Sequence, residues 1–458
     1  MTELRCISPI DGSVYATRET VDFDAARDRI RAARKAQADW AARPLQDRID
    51  LVLAGVAAVG ALNDQIVPEL AHMMGRPVRY GGEFGGFEER ASKMAELAQE
   101  GLAPIEVGDD AGFRRFIRRV PHGVVFVVAP WNYPYMTAIN TVAPALIAGN
   151  AVILKHATQT LLVGERMADA FLSAGLPADL FQNMFLDHDT TADLIAANSF
   201  DFVNFTGSVA GGAAMEQAAA GTFTGVGTEL GGKDPGYVME DADLNAAVAT
   251  LIDGAMFNSG QCCCGIERIY VHESLFDDFL AKAIELVRGY KLGNPLDPDT
   301  TIGPMANTRF AAEVRAQIDE AVADGAVAHI PAFPEDDGAA YLTPQILTNV
   351  SHDMRVMRDE SFGPVVGIMP VRDDDQAVAL MNDSQFGLTV SLWTRDIDRA
   401  IALGDRLDTG TVFMNRADYL DPSLCWTGCK NTGRGGGLSL IGYHNLTRPK
   451  SYHLKKAS

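Results

Sequence analysis

Through the middle of the chain, unbroken apolar runs alternate with segments of helical periodicity. Val124 to Ala129 is apolar throughout, the pattern of a strand buried on both faces of a parallel sheet. Thr137 to Ala148 follows with helical spacing, then Ala151 to Lys155 as strand and Leu161 to Ala174 as helix. Phe181 to Phe185, Phe202 to Phe205 and Gly225 to Leu230 predict further strands. Thr190 to Ala197 and the Gly/Ala-rich Ser208 to Ala220 predict the intervening helices. This succession predicts a doubly wound α/β sheet, which takes ligands beyond the carboxyl ends of its strands. A second α/β unit begins after Gly232. Its strands are predicted at Tyr237 to Met239, Arg268 to Val271, Val365 to Pro370, Thr389 to Trp393 and Thr411 to Met414, and its helices at Asp243 to Phe257, Ser274 to Leu286 and Thr308 to Asp324.

Ahead of these units, Ile7 to Thr17 predicts a hairpin. Helical patterns cover Asp22 to Trp40, Leu45 to Leu62, Gln65 to Met74 and Gly86 to Leu102. Gly112 to Val120 alternates polar and apolar residues and is the most basic stretch. The tail from Ser451 to Leu454 alternates again and could pair with it.

The 458 residues exceed one typical domain, with 47% hydrophobic and 22% charged residues. A balance of 39 basic against 60 acidic residues, net −21, disfavours nucleic acid or an anionic membrane as partner. No leader pattern and no long uninterrupted apolar window is seen, so a cytoplasmic location is expected. Six cysteines in a chain of this length are no disulfide framework, and no metal site is expected.

Three of those cysteines, Cys262, Cys263 and Cys264, follow the predicted helix ending at Phe257. They read either as an activated nucleophile or as small buried hydrophobes. Gly207-Ser208, between a strand and a helix, suits a phosphate at the helix start, although the spacing is not the usual dinucleotide fingerprint. Lys155 ends a strand and could reach ribose hydroxyls or a phosphate, or be a surface lysine. Glu229, between apolar residues and glycines, suits a desolvated general base or a solvated turn. Asn132, in Pro130-Trp131-Asn132-Tyr133-Pro134, can donate to an oxyanion or serve a turn. A thiol, a carboxylate, an amide donor and a nucleotide turn together suggest aldehyde oxidation through a thiohemiacetal and a thioester.

The motifs resemble those of the aldehyde dehydrogenase superfamily over nearly the whole chain. They are Pro130–Pro134, Phe205-Thr206-Gly207-Ser208, Glu229-Leu230-Gly231-Gly232-Lys233, Phe257 to Cys263, Glu360-Ser361-Phe362-Gly363-Pro364 and Asn382 to Leu388. The resemblance implies Cys263 as nucleophile, Glu229 as the base that activates water, and Asn132 with the Cys263 N–H at the oxyanion. It implies NAD or NADP bound by Lys155, Thr158, Gly207, Ser208, Ala129, Pro130, Trp131, Gly231, Glu360 and Phe362. It also implies a dinucleotide-binding domain (1–102 and 122–230), a catalytic domain (231–440) and a β oligomerisation extension (103–121 and 441–458), assembled as a homodimer or homotetramer.

Two departures bear on specificity. Members preferring NAD usually carry Glu where Thr158 stands, and a hydroxyl can donate to a 2′-phosphate, so NADP should be accepted. The Lys155-His156-Ala157 run resembles that of succinate-semialdehyde dehydrogenases, which typically place an Arg where Asn140 stands. Burying a substrate carboxylate without its cation would cost on the order of 2–5 kcal/mol, so that aldehyde is disfavoured. With Tyr133, Thr137, Leu420 and Trp426, Asn140 predicts a polar-aromatic pocket for a small or medium aldehyde. Competing readings are a CoA-acylating relative, which would not need the Glu229 base, and an inactive structural relative, which would not need all three catalytic residues.

Overall fold

The computed structural model describes residues 2–108 and 112–457. Two largely parallel sheets organise it. The first has six strands in the order Gly433–Arg434, Gly225–Glu229, Phe202–Thr206, Val124–Ala129, Ala151–His156 and Phe181–Asn183. Only Gly433–Arg434 runs antiparallel to its neighbour. Every residue of Val124–Ala129 is buried, which is why that run shows no polar alternation. The chain builds outward from this strand to Phe181–Asn183, then returns to its other side with Phe202–Thr206. Sequence order therefore reverses there, and a crevice opens beyond the carboxyl ends of the two strands. Ala129 and Gly207 lie at that point.

The hairpin Glu3–Ile7/Val14–Glu19 and the helices Phe23–Ala41, Leu45–Gly60, Asn63–Met74 and Phe84–Gly101 pack on this sheet and share its core. The last of these helices buries Phe87, Arg90, Ala91, Met94 and Ala98, spaced as one helical face, against the helix Pro134–Ile147. An arginine thus sits within an otherwise apolar stripe. No single helix among the described residues is long and apolar enough to cross a membrane.

The second sheet has seven strands in the order Val327–Ala328, Gln345–Thr348, Val365–Val371, Ile266–His272, Asp234–Val238, Thr389–Trp393 and Thr411–Met414. Only the first pair is antiparallel. Its core is separate, built on residues such as Ile252, Ile269, Ile346, Val366 and Trp393. The fold is therefore two doubly wound α/β units.

A third, three-stranded sheet pairs Thr447–Lys455 antiparallel with Phe113–Pro121, which Ile105–Glu106 extends. Lys455 lies opposite Phe113, so the two alternating segments do pair. Phe116 stacks on Tyr452 at 4.6 Å with the Arg118 guanidinium 5.2 Å from the Tyr452 ring, giving the basic strand a packing role.

The span expected to end at 440 does not follow the sheets. Gly433–Arg434 pairs with Gly225–Glu229 of the first sheet, and the helix Ser439–Asn445 packs on Phe84–Gly101. The strand Gln345–Thr348 and the helices Asp374–Asn382, Ile397–Gly404 and Ser439–Asn445 were not predicted. Each is only 4 to 9 residues long, too short for a periodic pattern to stand out.

Candidate active site

The helix Leu244–Met256 starts at Asp243, whose carboxylate accepts from the Asn245 and Ala246 N–H groups at 3.1 Å. It ends at Phe257, and the chain then passes through Asn258, Ser259 and Gly260 with φ of 54°, 56° and 69°. Two successive non-glycine residues in the left-handed region are strained and persist only where their surroundings fix them. Here Asn258 Nδ2 donates to the Asn132 carbonyl at 3.2 Å, and Ser259 Oγ donates to the Gly303 carbonyl at 2.8 Å. Gln261 Oε1 accepts from the Ala306 N–H at 2.8 Å. A Cβ on Gly260 would collide with the Gly363 carbonyl. The three cysteines are thereby delivered on a rigid turn.

Cys262 and Cys264 are buried and Cys263 is half-buried, and the three Sγ atoms lie within 4.8 Å of one another. The Cys263 thiol is held well below its usual range, first by the polar influence of the adjoining Cys262 and Cys264 thiols, with the Arg90 charge adding to it. The two flanking thiols are pushed well above theirs. Both also donate to Asp418 Oδ1, at 3.1 and 3.0 Å. Burial in turn raises the Asp418 carboxyl to about 6. The flanking cysteines, expected to be packing neighbours without a role, thus form a hydrogen-bonded frame around the thiol that differs from them.

Cys263 opens into a cavity of about 260 Å³. The expected pocket residues Tyr133, Thr137, Asn140, Leu420 and Trp426 all line it, as do Glu229 and the unforeseen Arg90, Glu89 and Asp418. Burial pushes the Glu229 carboxyl up to about 7, and the charge of Cys263 adds to the shift. Thr206 Oγ1 donates to its Oε2 at 3.3 Å. Asn132 is buried, and its Nδ2 donates to the Gln261 carbonyl at 3.2 Å. Behind it the buried pair Arg76–Glu83 closes at 2.5 Å. Arg76 donates to the Asn132 carbonyl at 2.6 Å, and Glu83 accepts from the Met136 N–H at 2.7 Å. The Arg76 guanidinium also lies 4.8 Å from the Tyr133 ring centre.

Asn132 lies beside that cavity and is not part of its lining, and the remaining predicted residues do not line it either; they cluster at the switch point. Lys155 lies near the end of Ala151–His156, opposite Val128 of the neighbouring strand that ends at Ala129, and Thr158 follows two residues beyond the strand. Lys155 is 6% exposed and makes no hydrogen bond or ion pair among the described residues. Ser208 caps the helix Val209–Ala219, accepting from the Gly211 N–H at 3.2 Å, and a Cβ on Gly207 would strike the Phe205 ring at 2.8 Å. Glu360 Oε1 accepts from the Gly232 N–H at 3.0 Å, and a Cβ on Gly231 would overlap the Glu360 carboxylate. Burial raises the Glu360 carboxyl to about 8. The loop that carries it is anchored by Glu267, which accepts from the Ser361 and Phe362 N–H groups at 2.8 and 2.9 Å and pairs with the buried Lys233. Trp131 stacks on Phe310 at 5.3 Å and meets the Phe362 edge at 5.5 Å. An unpartnered buried ammonium, a helix N-terminus and a buried carboxylate form a donor set that fits a dinucleotide.

Residues 1–452 match the model of the aldehyde dehydrogenase family. A succinate-semialdehyde dehydrogenase (NADP(+)) of Deinococcus radiodurans is 30% identical over 445 residues, 97% of this chain and 93% of that protein. The crystal structure of a succinate-semialdehyde dehydrogenase from Burkholderia pseudomallei superposes with a TM-score of 0.95 at 28% identity, covering 99% of this chain and 95% of the other. PnpE in complex with nicotinamide adenine dinucleotide superposes with a TM-score of 0.95 at 26% identity, over 100% of this chain and 95% of that one. The chain belongs to the aldehyde dehydrogenase family and is an enzyme that oxidises an aldehyde with NAD or NADP.

Proposed function

We propose that Cys263 is the nucleophile and Glu229 the base of a hydrolytic aldehyde dehydrogenase. What supports this reading is one cavity lined by both groups, a thiol whose ionisation is favoured and a carboxyl that burial raises to about 7. Cys263 Sγ, as thiolate, forms a bond to the aldehyde carbon. The resulting oxyanion accepts from the Asn132 amide and from the Cys263 N–H, which donates to no backbone carbonyl among the described residues. NAD or NADP, when bound, supplies the acceptor for the hydride that leaves this carbon. Lys155, Ser208 and Glu360 would hold the dinucleotide, and Thr158, which carries no charge to oppose a 2′-phosphate, admits NADP. Glu229 then takes a proton from water, the hydroxide adds to the thioester carbon, and the carboxylic acid departs as Cys263 regains its thiolate.

The test is direct. With a short aldehyde and NADP, the wild-type protein should reduce cofactor and yield the free acid whether or not CoA is added. An acyl-CoA product would favour the acylating alternative. Absence of reduction across a broad aldehyde panel would favour an inactive relative.

We further infer a homo-oligomer assembled through the three-stranded sheet, because Ile105 and Val107 are exposed at its edge. Light scattering should give a dimer or tetramer mass; a monomer at micromolar concentration would contradict this.

A further inference from the structure

Three arginines are buried among the described residues: Arg76, Arg90 and Arg268. Arg76 uses all three guanidinium nitrogens, on Asn258, Glu83 and the Asn132 carbonyl. Arg268 likewise uses all three, on the carbonyls of Lys233, Leu380, Asp383 and Met381 and on the Tyr270 hydroxyl. Arg90 differs. Only its Nη1 is engaged, donating to the Met136 carbonyl at 3.0 Å and to Asn140 Oδ1 at 3.3 Å. Its Nε and Nη2 have no acceptor and its charge has no carboxylate partner among the described residues, although the side chain is 9% exposed. Such a buried cation is costly unless something pairs with it.

What exposure Arg90 has opens on the cavity that holds Cys263, and it is the single Lys or Arg in that lining. Its surroundings supply donors. Asn140 spends its oxygen on Arg90, and among the described residues its Nδ2 amide and the buried Tyr133 hydroxyl have no partner. The carboxylates of the cavity are engaged elsewhere. Asp418 accepts from two thiols, Glu229 accepts from Thr206, and the exposed Glu89 accepts from Tyr419 at 2.7 Å.

Resting on the reading that this cavity receives the aldehyde, we propose that Arg90, braced by Asn140, binds a carboxylate carried at the far end of the substrate. The class is a short aldehyde acid. At about 260 Å³ the cavity lies below the roughly 300–1,000 Å³ of pockets for drug-sized ligands, so the chain between the two groups is short. Asn140, which by its position in the sequence deprives the pocket of an arginine, instead orients one that arrives from a different helix. The objection to an anionic substrate drawn from Asn140 alone therefore falls.

Succinate semialdehyde and butanal, equal in chain length and different in charge, separate a binding role from a structural one. The wild type should prefer the anion. Arg90→Gln should lose at least about tenfold more in kcat/KM for the anion than for butanal, mainly through KM, because any effect of the Arg90 charge on the Cys263 thiol falls on both aldehydes alike. Arg90→Lys should recover part of the loss. Equal losses on both aldehydes, or no wild-type preference for the anion, would overturn the proposal. A second measurement does not depend on turnover or on Arg90→Gln folding. Calorimetry on Cys263→Ala should show succinate binding more tightly than butyrate, and equal affinities would also overturn it. If neither aldehyde is oxidised, the calorimetric comparison decides the role of Arg90 independently of turnover.

Discussion

The Arg76 guanidinium donates to the main-chain carbonyl of Asn132 at 2.6 Å. Two residues far apart in the chain are thereby coupled: the proposed oxyanion donor is held from behind by a buried cation, itself balanced by Glu83. Arg76→Met should leave Glu83 buried and unpaired and free the Asn132 turn. Unfolding in urea should show a loss of about 3–5 kcal/mol. In the folded fraction kcat should fall while cofactor affinity is retained. Unchanged stability would mean that the pair does not brace the site.

The raised carboxyl of Glu229 sets a pH dependence for stability as well as for rate. Folding moves it from 4.5 to about 7, so between those values the folded protein keeps a proton that the unfolded chain releases. Stability falls as pH rises through that window and is flat above it. Glu229→Gln removes this term. Urea midpoints should show the variant gaining on the wild type by up to about 3 kcal/mol between pH 5 and pH 8. A pH-independent difference would mean that Glu229 is ionised throughout.

The flanking thiols should tune the nucleophile. Cys262→Ala or Cys264→Ala removes an adjoining polar thiol that favours the Cys263 thiolate. The pH midpoint of Cys263 alkylation by iodoacetamide, followed by peptide mapping, should move upward in each variant. An unchanged midpoint would assign the low thiol pKa to Arg90 and the backbone instead.

Much of this site was legible because its parts are local. Val124–Ala129 declared itself by having no polar residue, and Glu229, Asn132 and the cysteine turn each sit at a strand or helix end within a short motif. Arg76, Glu83, Arg90 and Asp418 were not legible, since each acts on residues remote in sequence: Arg90 is 50 positions from Asn140, and Asp418 is 156 from Cys262. One signal was available. An arginine in the apolar stripe Phe87, Ala91, Met94, Ala98 required either a buried partner or a ligand. The pairing of Gly433–Arg434 with the first sheet was not legible for a different reason: a two-residue strand has no periodicity to read.

The central claim is that acylation occurs on Cys263 and that Glu229 releases the acyl group. Glu229→Gln, mixed with a short aldehyde and NADP and quenched, tests both halves by mass spectrometry of the intact chain and its peptides. A burst of about one reduced cofactor per subunit is expected, then a stall, with the acyl mass on Cys263. An acyl group on Cys262 or Cys264, or continued turnover with no trapped adduct, would contradict it.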